Sequence, residues 1–227
     1  MLVIFFTIVL TIAAYWFSRY LFLRFGSPLL NIVIISTAIV IITLVTLGIP
    51  YETYAIGGDI MTFLLGPATV ALAVPLYKNR PLLKKYGLAI VVGISAGSLV
   101  SVVTAVAITM CGGLPREVII SIASKSVTIP FAVEISRIAG GNPALAAAFV
   151  VATGTFGSVL GRDLLTWLKI TDPVARGLSL GTVSHGQGTA MALMEGEQQG
   201  AMAGMAMALA GVLTSAIAPF FLPLIVK

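Results

Sequence analysis

Charge is what this 227-residue chain lacks most: Asp, Glu, Lys and Arg make up 9% of it, against 59% hydrophobic residues and a mean hydropathy of +1.09. Those values exclude an ordinary soluble domain. A single cysteine, Cys111, excludes an internal disulfide, and with a single histidine no Cys/His cluster has metal-ligand spacing, so neither metal nor cofactor is expected. Long polar linkers are missing too. The longest hydrophilic connections are of the size of Lys78 to Lys85 and Lys169 to Arg176, which leaves residues 1–227 as one integral membrane domain. The net charge of +5 and pI near 9.6 come from basic residues dispersed over segment ends, not from a stripe, and this argues against nucleic acid as a partner. No nucleophile, base and orienting acid assemble into a motif, no nucleophile elbow is read, and the chain is not expected to be an enzyme.

Apolar length is what the chain has in quantity. Charge-free runs cover residues 1–18, 25–51, 60–77, 86–115, 138–161 and 198–226, each near or above the roughly 20 apolar residues that a bilayer core requires. The fold class that follows is all-α: a polytopic integral membrane protein with about eight membrane elements, some of them discontinuous or re-entrant. The first run has no basic residue before it and no small-residue cleavage site after it, so it reads as a retained helix. Two N-terminal helices are expected within 1–50. Three repeat-like units follow at 51–111, 112–170 and 171–227, each a broken segment and then a helix. The cluster Lys78, Arg80, Lys84 and Lys85 is expected on the cytoplasmic side, with Arg162, Lys169 and Arg176 the next candidates. Small residues at four-residue spacing, such as Gly93/Gly97 and Gly200/Gly204, suit close helix packing and a homodimer.

Lys125 stands apart because it sits inside an apolar stretch, between Val118-Ile119-Ile120 and Val127-Thr128-Ile129-Pro130. A charge at membrane depth costs a few kcal/mol and is normally tied to a substrate, an ion path or a paired carboxylate. Two other readings stay open: pairing with Glu134, or snorkelling to an interface. Broken segments stand out near Gly66-Pro67-Ala68-Thr69, near Lys125 to Pro130, and near His185 to Thr189, with Pro67, Pro130, Gly186 and Gly188 as the helix breakers. Unpaired backbone is tolerated at membrane depth only where it is buried in protein or lines a watered cavity, so these segments imply a ligand site. The candidate substrate-binding residues are Lys125, Ser126, Thr128, His185, Gln187 and Thr189, with Thr69 added by repeat analogy. Lys125 would hold a carboxylate, the hydroxyls would donate to its oxygens, and His185 would couple binding to protonation. Glu195 and Glu197 read as a solvated segment end.

An internal repeat appears when residues 69–102 are laid on 126–159. Val70/Val127, Arg80/Arg137, Leu88/Leu145, Ala89/Ala146, Gly97/Gly154, Ser101/Ser158 and Val102/Val159 coincide. A fainter third copy places Thr128 and Glu134 on Thr189 and Glu195. Each broken segment has room either to cross the membrane as two half-helices or to enter and return. Eight crossings or half-crossings is the favoured count.

Three motifs, taken in order, resemble the LrgB/CidB family of bacterial inner-membrane proteins. They are Gly66-Pro67-Ala68-Thr69-Val70-Ala71-Leu72-Ala73-Val74-Pro75-Leu76-Tyr77, then Lys125-Ser126-Val127-Thr128-Ile129-Pro130, and Ala175-Arg176-Gly177 leading to Ser184-His185 and Gly188-Thr189-Ala190. The resemblance spans nearly the whole chain and is nearest the family's YohK-like branch. It implies a multi-pass protein of the bacterial cytoplasmic membrane. It also implies one of two functions: carriage of a small carboxylate (glycolate, glycerate or pyruvate-like), as in a related plastid glycolate/glycerate translocator, or regulation of murein hydrolase activity and autolysis. A separate small LrgA/CidA-like membrane protein is the implied partner. The chain departs from the family pattern at Ser124, where relatives tend to have proline, and at Gly186-Gln187, where they have apolar residues. The Gln187 side chain is a candidate for altering substrate preference.

Overall fold

The computed structural model describes residues 2–26, 30, 32–64, 67, 70, 77 and 80–226. Among these there are nine helices and no strand, as the apolar runs predict. Four helices are long and apolar enough to cross a membrane, at Val3–Phe25, Lys84–Cys111, Pro143–Trp167 and Glu197–Leu224, and Ile32–Thr46 is a shorter apolar one. The chain is thus a multi-pass, all-α membrane protein. It divides into two compact units, Met1–Val70 and Ala71–Lys227. The first broken segment around Gly66, Ala68 and Thr69 lies outside the described residues, Pro67 excepted.

In the first unit α1 (Leu2–Phe25), α2 (Ile32–Thr46) and α3 (Tyr51–Phe63) pack around Ala14, Val40 and Leu44, and Thr11 Oγ1 bonds Tyr54 Oη at 2.8 Å.

The second unit contains α4 (Arg80–Cys111), α5 (Arg116–Ala123), α6 (Ile129–Ala139), α7 (Pro143–Trp167), α8 (Pro173–Glu195) and α9 (Glu197–Ile225). Its helix boundaries follow local chemistry. Asn142 caps α7 by accepting from the N–H groups of Ala144 and Leu145, and Asp172 caps α8 by accepting from Ala175, each with proline next in line. Gly140 ends α6 in the left-handed region, φ 84°, where glycine carries no Cβ penalty.

The path of the chain is settled by two sets of long-range bonds. Asn142, just beyond α6, donates its backbone N–H to Ser121 Oγ at 2.7 Å and its side-chain amide to Glu117 Oε1 at 3.0 Å. The chain that entered as α5 has therefore returned to its starting end, and α5 with α6 forms a re-entrant hairpin with residues 124–128 at its tip. Helix α8 does the same from the other end. Its backbone breaks at His185 (φ 41°, ψ −127°), and its last residue, Glu195, receives two hydrogen bonds from Arg176, at 2.7 and 2.6 Å. In a straight helix those residues would stand roughly 28 Å apart at 1.5 Å per residue.

Both described broken segments therefore return instead of crossing, which corrects the crossing arrangement favoured from the sequence. The physical reason is the close fit of each arm on its partner: Gly188 in the returning arm of α8 meets the Leu180 carbonyl of the entering arm, where any Cβ would collide. The two hairpins enter from opposite ends of the unit. Arg116 Nε donates to Val226 O at 2.8 Å, which puts the end of α9 beside the start of α5. Spans α4 and α7, which the repeat alignment superposes, run in opposite directions, so successive repeat units are inverted. One hydrophobic core, with Ile120, Ile135, Val150 and Leu222, surrounds the first hairpin; a second, with Ile90, Ile94, Met202 and Met205, lies beside the second.

Basic groups collect at one end of this unit. Lys84, Lys85, Arg162, Lys169 and Arg176 lie at the end from which α8 enters, whereas Arg116 and Arg137 lie at the other.

Candidate functional site

The tip of the first hairpin comes close to the entering arm of the second inside the second unit. A cavity of about 10 Å³, room for one water molecule, is lined by Ser98, Ser101 and Val102 of α4, by Ala123, Ser124, Ser126 and Val127 of the first tip, and by Thr182 of α8 and Thr214 of α9. Six of these nine side chains carry a hydroxyl and none a carboxylate, a neutral lining able to hydrogen-bond an anion. Among the described residues no group of His, Cys, Asp and Glu is placed to hold a metal ion.

Lys125 stands at this tip. It is half-buried, and its ammonium donates to Ser101 Oγ at 3.1 Å and to Ser126 Oγ at 3.2 Å; those two hydroxyls bond each other at 2.7 Å. No ion pair joins it to a carboxylate among the described residues. The pairing with Glu134 considered from the sequence is replaced by a different one, because Glu134 turns outward on α6 and takes the Arg137 guanidinium.

The cause of the break is visible in the chain. Ser124 ends α5, Thr128 begins α6 in extended conformation, and Pro130 occupies the first turn of α6, where it has no N–H to lose. Ser98 Oγ, Ser124 Oγ and Thr128 Oγ1 are buried without a hydrogen-bond partner among the described residues, and the first two belong to cavity-lining residues. A buried hydroxyl left unpaired costs about 1–3 kcal/mol.

The remaining sequence candidates face elsewhere. His185 Nε2 donates to Val150 O of α7 at 3.0 Å, which requires the proton on Nε2, and its ring packs against Gly154. Gln187 lies at the same glycine, with its Oε1 accepting from Thr155 Oγ1 at 3.3 Å. Thr189 Oγ1 donates back to His185 O at 2.8 Å. Ser126 therefore lines the cavity with five hydroxyl groups that were not among the sequence candidates, at Ser98, Ser101, Ser124, Thr182 and Thr214, and Lys125 reaches it through its bonds to Ser101 and Ser126. His185, Gln187 and Thr189 shape the second tip, which presents Thr182 to that cavity. The signal for Ser101 was its coincidence with Ser158 in the repeat, beside Gly97 and Gly154, which both press on α8. Pro67 is exposed, and Thr69 lies outside the described residues.

A second cluster was missed altogether. The Arg176 guanidinium, with its side chain 11% exposed, bonds Glu195 through two nitrogens and also reaches Ile170 O, Arg162 O and Thr166 Oγ1. Glu195 is 7% exposed and has Arg162 as a further partner at 3.5 Å. The expectation of a solvated end at Glu195 is therefore wrong: closure of the hairpin mouth brings two charges together out of water.

The spacing Gly177-Leu178-Ser179-Leu180-Gly181 does match Gly-x-Ser-x-Gly, but it lies within the first arm of helix α8. A nucleophile elbow needs a strand-to-helix turn, and its glycines here serve packing instead: Gly177 and Gly181 lie against the α9 backbone at Gln199 and Ala203.

Residues 11–224 match the model of the LrgB-like family. The uncharacterized protein YxaC of Bacillus subtilis (strain 168) is 37% identical over 219 residues, covering 96% of this chain and 94% of that protein. YwbG of the same organism is 35% identical over 213 residues, 94% of this chain and 95% of the relative. The holin-like protein CidB of Staphylococcus epidermidis (strain ATCC 12228) is 32% identical over 212 residues, 93% of each. No solved structure matches the chain. A family model matched over nearly the whole length, and relatives above 30% identity aligned end to end, make this chain a member of the LrgB-like family.

Proposed function

We propose that this protein is a membrane carrier for a small carboxylate of the glycolate, glycerate or pyruvate type. The observation that carries the reading is Lys125. A half-buried ammonium held, among the described residues, by hydroxyls alone and without a carboxylate has unspent charge for an anion. Inverted repeats with broken helices meeting near the centre form the architecture in which secondary carriers place substrate. Lys125 takes the carboxylate, while Ser98, Ser101, Ser124, Ser126, Thr182 and Thr214 supply hydrogen bonds. His185, Gln187, Thr128 and Thr189 hold the tips in shape, with proton coupling through His185 as a further part of the proposal. At about 10 Å³ the cavity is too small for a carboxylic acid, so substrate binding requires its walls to part.

A second reading is favoured by the holin-like description of the relative from S. epidermidis: a non-transporting regulator of murein hydrolase activity acting with an LrgA/CidA-like membrane protein. The partner belongs to both readings. By the basic end of the second unit, α8 enters from the cytoplasmic face and α5 with α6 from the opposite one.

Binding separates the two readings at the site. Purified protein is expected to gain thermal stability from glycolate, glycerate or pyruvate in a saturable manner, with the gain lost in Lys125→Ala and kept in part by Lys125→Arg. Equal stabilisation of native and Lys125→Ala protein, or none by any of the three acids, removes the assignment.

A further inference from the structure

The two re-entrant hairpins are built alike but secured differently. The mouth of the second is closed by the Arg176–Glu195 pair, in which one buried guanidinium also ties both arms of α8 to the end of α7. Its entering arm lies flush on α9 through Gly177 and Gly181, its returning arm lies flush on the entering arm through Gly188, and its tip is pinned by His185 to Val150 O. Among the described residues no ion pair joins the arms of the first hairpin: its mouth has two Asn142 bonds, one of them exposed, and the Arg116 bond to Val226 O. Its arms are short, 8 and 11 residues, and its tip is five residues of non-helical chain. Of the four buried hydroxyls without a partner among the described residues, three (Ser124, Thr128 and Ser136) lie on this hairpin, the fourth (Ser98) lines the cavity at its tip, and none is on α8.

We infer that the α5–α6 hairpin is the moving gate of the site and that the α8 hairpin is a fixed wall latched by Arg176 and Glu195. The energetic argument is one of what opening forfeits. Moving α8 breaks a buried ion pair and uncovers a guanidinium with several partners, whereas moving α5–α6 breaks the two Asn142 bonds, the Arg116 bond to Val226 O and the bonds of Lys125 and Ser126 to Ser101, none of them an ion pair, and lets unpaired hydroxyls reach water or ligand. With the basic end cytoplasmic, the gate opens to the opposite face, the one that carries Arg116 and Arg137. The inference uses the carrier reading only for what passes the gate; the asymmetry itself is in the buried ion pair and the unpaired hydroxyls.

Cysteine labelling tests it in a Cys111→Ser background, since Cys111 is the single, exposed thiol. Ser124→Cys and Ser184→Cys are both buried positions, one at each tip. With a membrane-impermeant maleimide on oriented vesicles, Ser124→Cys is expected to react at least tenfold faster, and from the Arg116 face, than Ser184→Cys from either face. Adding Glu195→Gln is expected to raise Ser184→Cys labelling at least tenfold. Equal labelling of the two tips, or faster labelling of Ser184→Cys, overturns the gate assignment; so does a silent Ser124→Cys beside a reactive surface control, Leu114→Cys. No effect of Glu195→Gln overturns the latch. Hydrogen exchange on the unsubstituted protein distinguishes the two hairpins without variants: residues 116–139 are expected to exchange faster than 176–195, and the reverse order refutes the proposal. Glycolate is added in a separate arm. Asymmetric labelling without protection of Ser124→Cys by glycolate sinks the carboxylate reading and leaves the gate standing.

Discussion

Glu195→Gln isolates the charge at the base of the second hairpin while keeping the shape of the side chain. In the native protein both Glu195 oxygens accept from Arg176, and the two side chains are 7% and 11% exposed. Removing one member of a buried pair leaves the other charge uncompensated and costs about 3–5 kcal/mol. Arg176 keeps the Ile170 and Arg162 carbonyls and the Thr166 hydroxyl, so the expected loss lies at the lower end, about 3 kcal/mol. At about 2–4 °C per kcal/mol for a chain of this length, that is a fall in Tm of about 6–12 °C. Thermal melting followed by fluorescence size exclusion reads it. The double variant Arg176→Met/Glu195→Leu removes both charges and is expected to recover at least half of the loss, since apolar replacement of a whole buried pair is often close to neutral. A Glu195→Gln protein that melts within about 1 °C of native, or a double variant less stable than the single one, would refute the reasoning.

Two further predictions rest on backbone geometry. Gly181→Val drives a side chain into the backbone of Ala203 on α9, where neither helix has room to shift, and is expected to abolish the monodisperse peak in size exclusion, whereas Gly204→Val, with open space at its Cβ, is expected to leave it intact. His185 holds φ 41°, a region that non-glycine residues adopt at a cost of about 1–3 kcal/mol. His185→Ala retains that strain without the bond to Val150, so it is expected to melt below His185→Gly, which is free of it; the opposite order would show that the ring and not the backbone sets stability there.

The long spans were legible because apolar length is a one-dimensional property: the charge-free runs over 86–115, 138–161 and 198–226 became α4, α7 and α9. The breaks near Lys125 and His185 were legible too, from serine, threonine, glycine and proline interrupting apolar chain. Whether a break returns or crosses was not, since a segment of that length has room for either. Only contacts between residues far apart in sequence, such as Asn142 with Glu117 and Arg176 with Glu195, choose between them. Glu195 looked like a solvated segment end, because charges near segment ends usually are, and Arg176 like one of the cytoplasmic-side basic residues; the hairpin closes them onto each other. Ser98 and Ser101 sit in the middle of an apolar run, where a serine most often bonds its own helix. Nothing local announces that they line a cavity at the tip of another segment.

Counterflow into proteoliposomes loaded with unlabelled glycolate tests the central claim most directly, with native protein and Lys125→Ala inserted at matched density, each with and without an LrgA-like partner. Uptake of labelled glycolate, glycerate or pyruvate that saturates with the native protein and vanishes with Lys125→Ala is the predicted result. Folded native protein that carries none of the three acids under proton or sodium gradients, with the partner present, would contradict the carrier assignment and leave the envelope-regulator reading in its place.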